Sequence, residues 1–240
     1  MLGAAMILSL LLAPCLALMP TEWATHVASV AMAKDELGFR AFETGTGRCP
    51  EAAKHCFGLA VHMVTSDGTT EGEPVQTPLW LYEDIAHANA LFAVISVGFE
   101  VASVDARPWA VGDVATRADR DALGKDDFGP GVIHVYVVRH LADVDVEGEE
   151  IRGVHWRYRP DTTKRWVIIS AIGSSTVMAH ELGHFFGLPH STYAVSIMNK
   201  RPRDLPWPDR VFAQPEVETM RRSTAQMLAD GSLERRRRRR

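Results

Sequence analysis

Apolar and polar positions alternate along this chain in patterns that predict a mixed set of strands and helices. Phe57 to Thr65 is an apolar run rich in β-formers that closes at Ser66-Asp67-Gly68, which reads as a strand followed by a turn. From Tyr82 to Val97, Ile85, Ala88, Phe92 and Ile95 recur at spacings of three and four, so an amphipathic helix is expected, with Gly98 as its C-cap. Phe99 to Val104, Val132 to Val138 and Trp166 to Ser170 read as further strands, with another near Arg152 to Tyr158. Pro215 to Ala229 opens on Pro and two Glu, places Val217, Met220, Met227 and Leu228 on one face, and stops at Gly231. That is a helix with both ends marked. No repeat or low-complexity linker interrupts the series, so one folded domain over residues 56–231 is expected.

The first 21 residues, Met1 to Thr21, carry no charge, and the apolar centre runs from about Ala4 to Ala13. Cys15-Leu16-Ala17 supplies small residues at signal-peptidase spacing, so residues 1–17 read as an export signal cleaved after Ala17. With no Lys or Arg before the apolar centre, an uncleaved membrane anchor stays as the alternative. A lipidated Cys15 is disfavoured by Pro14. Export implies a secreted, cell-envelope or periplasmic location. There Cys49 and Cys56 form an even pair in an oxidising setting, and a short-loop disulfide is expected, with free thiols or a metal-capping Cys49 thiolate as alternatives. Residues 18–55 would then be a pro-segment or extension, with Trp23 to Phe42 as its helix.

Composition changes this picture in one respect. At 240 residues and 26.5 kDa the chain can bury a full core, and 46% hydrophobic with 23% charged residues is ordinary for a globular protein. The formal charge of -4 includes six consecutive arginines, Arg235 to Arg240, without which it would be -10. Basic residues piled on a terminus of an acidic body argue against nucleic acid as a partner. Following Leu233-Glu234, the arginines resemble an expression-vector tail; a native tail would be a solvated tether. Residues 232–240 are expected to be disordered either way.

The decisive segment is Val177 to His190, which contains H-E-x-x-H-x-x-G-x-x-H. On a helix His180 and His184 leave the same face one turn apart and can meet one small ion, and Glu181 beside them can reach water on that ion without ligating it. Gly187 permits positive φ, ending the helix so that His190 approaches from another side. Three neutral imidazoles with an open fourth position describe a catalytic zinc site holding one ion. Five fixed positions coincide by chance in about one chain in ten thousand at this composition. The other seven histidines, His26, His55, His62, His87, His134, His140 and His155, lack ligand spacing and read as ordinary polar residues.

These residues, with Ser196-Ile197-Met198-Asn199 eight positions after His190, resemble the metzincin clan of zinc metallopeptidases. Met198 is similar to the clan's Met-turn methionine, which implies a hydrophobic base beneath the imidazoles. Ser191 after the third histidine is similar to matrixins, and Lys200 stands where astacin-like enzymes carry a tyrosine ligand. The resemblance implies an α+β fold: a twisted, mixed, mainly parallel sheet, one long backing helix, the active-site helix and a C-terminal helix. It also implies a zinc-dependent endopeptidase, monomeric, acting on protein or peptide, with Glu181 as general base. Arg139 to Trp166 lacks the matrixin pattern for structural zinc and calcium, and Asp143, Asp145 and Glu147 read as a solvated acidic loop in preference to a calcium site. Tyr193 reads as packing sooner than as an oxyanion donor. Lys200 to Arg210, including Arg201, Arg203 and Trp207, would wall the pocket after the scissile bond. A non-proteolytic zinc hydrolase or amidase, and an inactive binding module, are the rival readings. A membrane is a partner only if the N-terminal segment stays uncleaved.

Overall fold

The computed structural model of the chain describes residues 48–68, 73–109, 113–201, 205–206 and 209–236; the expected export signal or anchor and the Trp23 to Phe42 helix lie outside the described residues. Strands form where side chains are buried on both sides of the backbone. β1 (His55–Val64) is buried almost throughout and lies between β2 (Val97–Arg107) and β4 (Ile133–Val138), parallel to both. A central parallel strand covered on two faces must be apolar at successive positions, hence the unbroken run. β7 (Arg165–Ser170) joins β4 in parallel, and β6 (Gly153–Arg157) closes the row antiparallel to β7, giving the order β2-β1-β4-β7-β6 with β6 at an edge.

On one face Phe57, Leu59, Val61 and Met63 join the inward residues of the other strands under three helices: α1 (Pro78–Phe92), α3 (Val177–Phe185) and α4 (Gln214–Ala229). On the other face Tyr136, Trp156, Trp166 and Ile168 pack beneath α2 (Arg117–Gly124) and a small parallel pair, β3 (Asp113–Val114) with β5 (His140–Leu141). The expected α+β architecture is therefore the observed one. Among the described residues, no helix is long and apolar enough to cross a membrane.

Four details differ from expectation. The long helix starts at Pro78, because Thr77 caps it by accepting the Trp80 N–H and Pro78 suits a first turn. It ends at Phe92, and after a turn of 3-10 helix the left-handed residue is Ser96 (φ 57°); Gly98 lies instead within β2, where a Cβ would come within 2.8 Å of Pro50 and 2.9 Å of Ala53. α2 was not anticipated, although Thr116 and Asp119 form a capping box. Residues 232–236 are ordered, not a free tail. Leu233 is buried, Glu234 N–H donates to Gly131 O, Arg236 N–H donates to Cys56 O, and its guanidinium pairs with Glu100. Arg237 to Arg240 lie outside the described residues.

Cys49 and Cys56 form a disulfide that ties the chain before β1 to the strand itself. In the chain-entropy description a loop this short contributes about 2.5 kcal/mol. The bond leaves no Cys49 thiolate to cap a metal, and it ties described residues ahead of the expected start at residue 56 to the folded body.

A polar chain crosses the α2 face. His62 Nδ1 donates to Asp105 Oδ1 at 2.6 Å, His62 Nε2 lies 2.9 Å from His134 Nδ1, and His134 Nε2 lies 3.0 Å from the Gly129 N–H. Tyr136 stacks on His62, Phe128 abuts His134, and Arg107, Asp105 and Asp127 supply the surrounding charge. The two rings face each other through one nitrogen each. Burial, ahead of the neighbouring charges, holds His134 below the usual imidazole range. A folded pKa below the unfolded value means that the unfolded chain takes up protons first as pH falls. Stability is then fully present above about pH 6.5 and declines below it. The thermal midpoint should fall between about pH 7.5 and 5.5, and His134→Gln should flatten that slope. Equal slopes in both proteins would rule the pair out as its source.

Candidate metal centre and its cleft

α3 puts the histidines where the spacing requires. His180 and His184 project one turn apart with ring centroids at 4.8 Å, and Gly187, at φ 91°, turns the chain so that the His190 ring comes within 4.6 Å of His184. One ligand nitrogen from each of the three lies within 4.8 Å of the others, and the His184 and His190 Nε2 atoms are 3.0 Å apart. Two rings are fixed from behind: His180 Nδ1 is 2.8 Å from Ile197 O and His184 Nδ1 is 2.6 Å from Leu188 O. A carbonyl only accepts, so both Nδ1 atoms carry the proton and both Nε2 lone pairs point into the shared space. Burial is the first cause that lowers all three histidines, His180 to about 3 and His190 to about 4, so the rings stay neutral.

Neutral imidazoles with convergent lone pairs repel unless a cation sits between them. Zinc at 2.0–2.1 Å from each nitrogen in a tetrahedral arrangement would set the nitrogens about 3.3 Å apart, near the 3.0 Å between His184 and His190 and within the reach of His180, so these residues fit the ion. Among the described residues one other His, Cys, Asp and Glu group has convergent atoms, Cys49, Cys56 and Glu100, and its sulfurs are already joined to each other.

Glu181 is buried beside the triad, and loss of water pushes its carboxyl up to about 8, opposed by the His155 backbone N–H and by Lys200. Gly153 makes its position possible. A Cβ there would come within 2.7 Å of Val177 and 2.8 Å of Glu181 Cγ, so β6 and α3 can approach only with glycine at the crossing. His155, read from the sequence as an ordinary polar residue, packs its ring edge-on against Phe185 and aims its backbone at Glu181.

Met198 is fully buried under α3, its sulfur 2.6 Å from where a Gly183 Cβ would be. The turn containing it braces the site twice: Ile197 O holds His180, and Met198 O accepts from Ser191 N–H beside His190. The turn is itself held by Glu216 at the start of α4. Ser196 Oγ donates to the Glu216 carboxylate at 2.7 Å and accepts from Met198 N–H at 2.9 Å, while Glu216 also takes the Ala213 N–H at 2.7 Å. Buried Arg210 adds a bond to Asn199 O at 2.8 Å. Nothing in a short motif marks Glu216 or Arg210.

The cleft beside the triad has a volume of 580 Å³ and runs along β6 from Gly153 to Arg157, with α2 and Lys200 on its rim. Asp145 in its wall is paired with Arg117, and Asp143 accepts from the Asp145 N–H. Tyr193 is exposed and bonds through its carbonyl to Asn199 Nδ2. Arg201 is exposed past the turn; Arg203 and Trp207 lie outside the described residues.

The matrixin family model matches residues 108–206, a stretch shorter than half the chain that spans β3 to the Met198 turn and includes all three histidines. Over that stretch the chain is matrixin-like. Among solved structures it is similar to archaemetzincin from Methanopyrus kandleri, at 16% identity and a TM-score of 0.46, covering 73% of this chain and 98% of that one. It is also similar to a promirolysin mutant from Tannerella forsythia, at 10% identity and 0.48, covering 91% and 92%. No curated protein matches the chain.

Proposed function

We propose that this chain is an exported zinc-dependent endopeptidase of the matrixin-like metzincin type, with one catalytic domain built on residues 48–236. The observation that carries the reading is the convergence of three neutral imidazoles beside a buried carboxylate, at the head of a cleft walled by a sheet edge. His180, His184 and His190 would hold the ion, which when bound supplies Lewis acidity toward water and a substrate carbonyl.

The chain's own residues do the rest. Among the described residues the outer edge of β6 has no strand partner, so an extended peptide can take backbone hydrogen bonds from it and lie across the cleft. In its ionised form Glu181 accepts a proton from the attacking water and returns it to the leaving amine, with the His155 N–H favouring and fixing that carboxylate. Its buried setting keeps bulk water from competing for that proton. Ser191 and Ser196 need no catalytic role. The Cys49–Cys56 bond suits an oxidising compartment, which agrees with export through residues 1–17.

The test is zinc stoichiometry measured together with cleavage of an unbiased peptide library, before and after chelation. One zinc per chain and cleavage that chelation abolishes and zinc restores are expected. Bound zinc without cleavage of any peptide would point to a non-proteolytic hydrolase or a binding module. Failure to bind zinc would remove the reading altogether.

A further inference from the structure

The cleft carries an excess of positive charge that neither the fold nor the chemistry just described uses. Without the terminal arginines the chain has a formal charge of -10, yet the rim of this cavity gathers Arg117, Arg120, Arg157, Arg159 and Lys200. Two of these are committed to the protein: Arg117 pairs with Asp145, and Arg120 is buried over the Trp156 ring and donates to Ala142 O. Arg157 and Arg159 are exposed and take part in none of the ion pairs among the described residues.

The placement of Arg157 is itself unfavourable. Its partner directly across the β6–β7 ladder is Arg165, and opposite residues in an antiparallel pair project from the same face. Arg165 stacks over the Phe185 ring at 4.4 Å, so both guanidinium groups stand on the α3 side of the sheet, the side of Glu181 and the histidines. Like charges at this spacing destabilise a sheet. Burial, and after it Arg157, holds Arg165 below its usual range, with Asp230 opposing. An anion bound between the rim and this pair would relieve the repulsion.

We infer that Arg157, with Arg159 beside it and Arg165 behind it, forms an anion subsite that selects peptides carrying an acidic side chain near the scissile bond. The inference rests on the peptidase reading of the same cleft. Strand geometry sets the position. Arg157 lies two residues along β6 from His155 and four from Gly153, the two residues that flank Glu181. At about 3.3 Å per residue this is roughly 7–13 Å, so the acidic residue falls two to four positions from the bond cut. Carboxylate and phosphate side chains share the required chemistry.

The experiment compares peptides that differ only at those positions, carrying Glu, phosphoserine, Gln or Lys, by kcat/KM with the zinc-loaded protein. Anisotropy of the same peptides on Glu181→Gln, at low and high salt, reports binding without turnover. Glu should be preferred over Gln about tenfold, with Lys poorest and the preference reduced by salt. In Arg157→Gln/Arg159→Gln the Glu-to-Gln ratio should approach one, while the thermal midpoint holds or rises because the repulsion with Arg165 is gone. Phosphoserine above Glu would assign the subsite to phosphorylated substrates. Equal cleavage and equal binding of Glu and Gln peptides would overturn the inference and leave the peptidase reading intact. Acid-selective binding with no cleavage by the parent would do the reverse.

Discussion

Under the proposed function, Glu181→Gln is expected to lower kcat/KM for peptide cleavage by about a thousandfold and to leave one zinc per chain in place. The size follows from the role, since a positioned general base contributes about 10²–10⁴-fold. Glutamine keeps the volume, which matters because Glu181 is only 5% exposed and wedged against Gly153 and Val177. Its amide oxygen can still accept the His155 N–H, so the side chain stays in place and only the proton acceptor is lost. None of the three ligand nitrogens belongs to Glu181, so metal content has no reason to change. Steady-state kinetics with metal analysis on the same sample gives the answer. Activity within a few-fold of the parent would show that another group handles the proton.

Glu216→Ala is the second large effect, and it acts at a distance from the chemistry. Removing this carboxylate strands Ser196 Oγ and the Ala213 N–H, both bonded to it at 2.7 Å, in a buried setting. Loss of bonds to a buried charged group, plus the first-turn cap of α4, costs about 3 kcal/mol. For a domain of this size that is roughly 6–12 °C in thermal midpoint. Ser196 also holds Met198 N–H, and the next carbonyl back holds His180, so loosening the turn should weaken zinc binding by about 10- to 100-fold. Calorimetry together with competition against a chromophoric chelator separates the two effects. A lower midpoint with unchanged zinc affinity would make Glu216 a prop of α4 alone.

The contrast between these residues shows what could be read beforehand. His180, Glu181 and His184 lie on one short helix, where spacing dictates direction, and Gly187 and His190 follow directly after its end, so their meeting was legible in the sequence. The strands were legible because burial on two faces leaves an apolar run. Gly153, His155 and Glu216 come from β6 and α4, which reach the site only through tertiary folding, and no local period marks such a neighbour. Arg157 illustrates the same limit: its conflict with Arg165 exists only once β6 and β7 are in register. α2 was missed because it is short and mostly polar, with Leu123 as its one large apolar anchor, although its cap was in plain view.

The Ser196–Glu216 link also orders events in time. A growing chain that has already folded through β7 and α3 owns all the ligand residues up to His190, but the carbonyl behind His180 belongs to a turn that Glu216 locks only after α4 has docked. An ion captured earlier would meet swinging imidazoles. In small zinc domains the metal nucleates the fold. If the chain binds zinc as proposed, metal uptake would be a finishing step, and the purified metal-free chain should be folded and take up zinc without being unfolded.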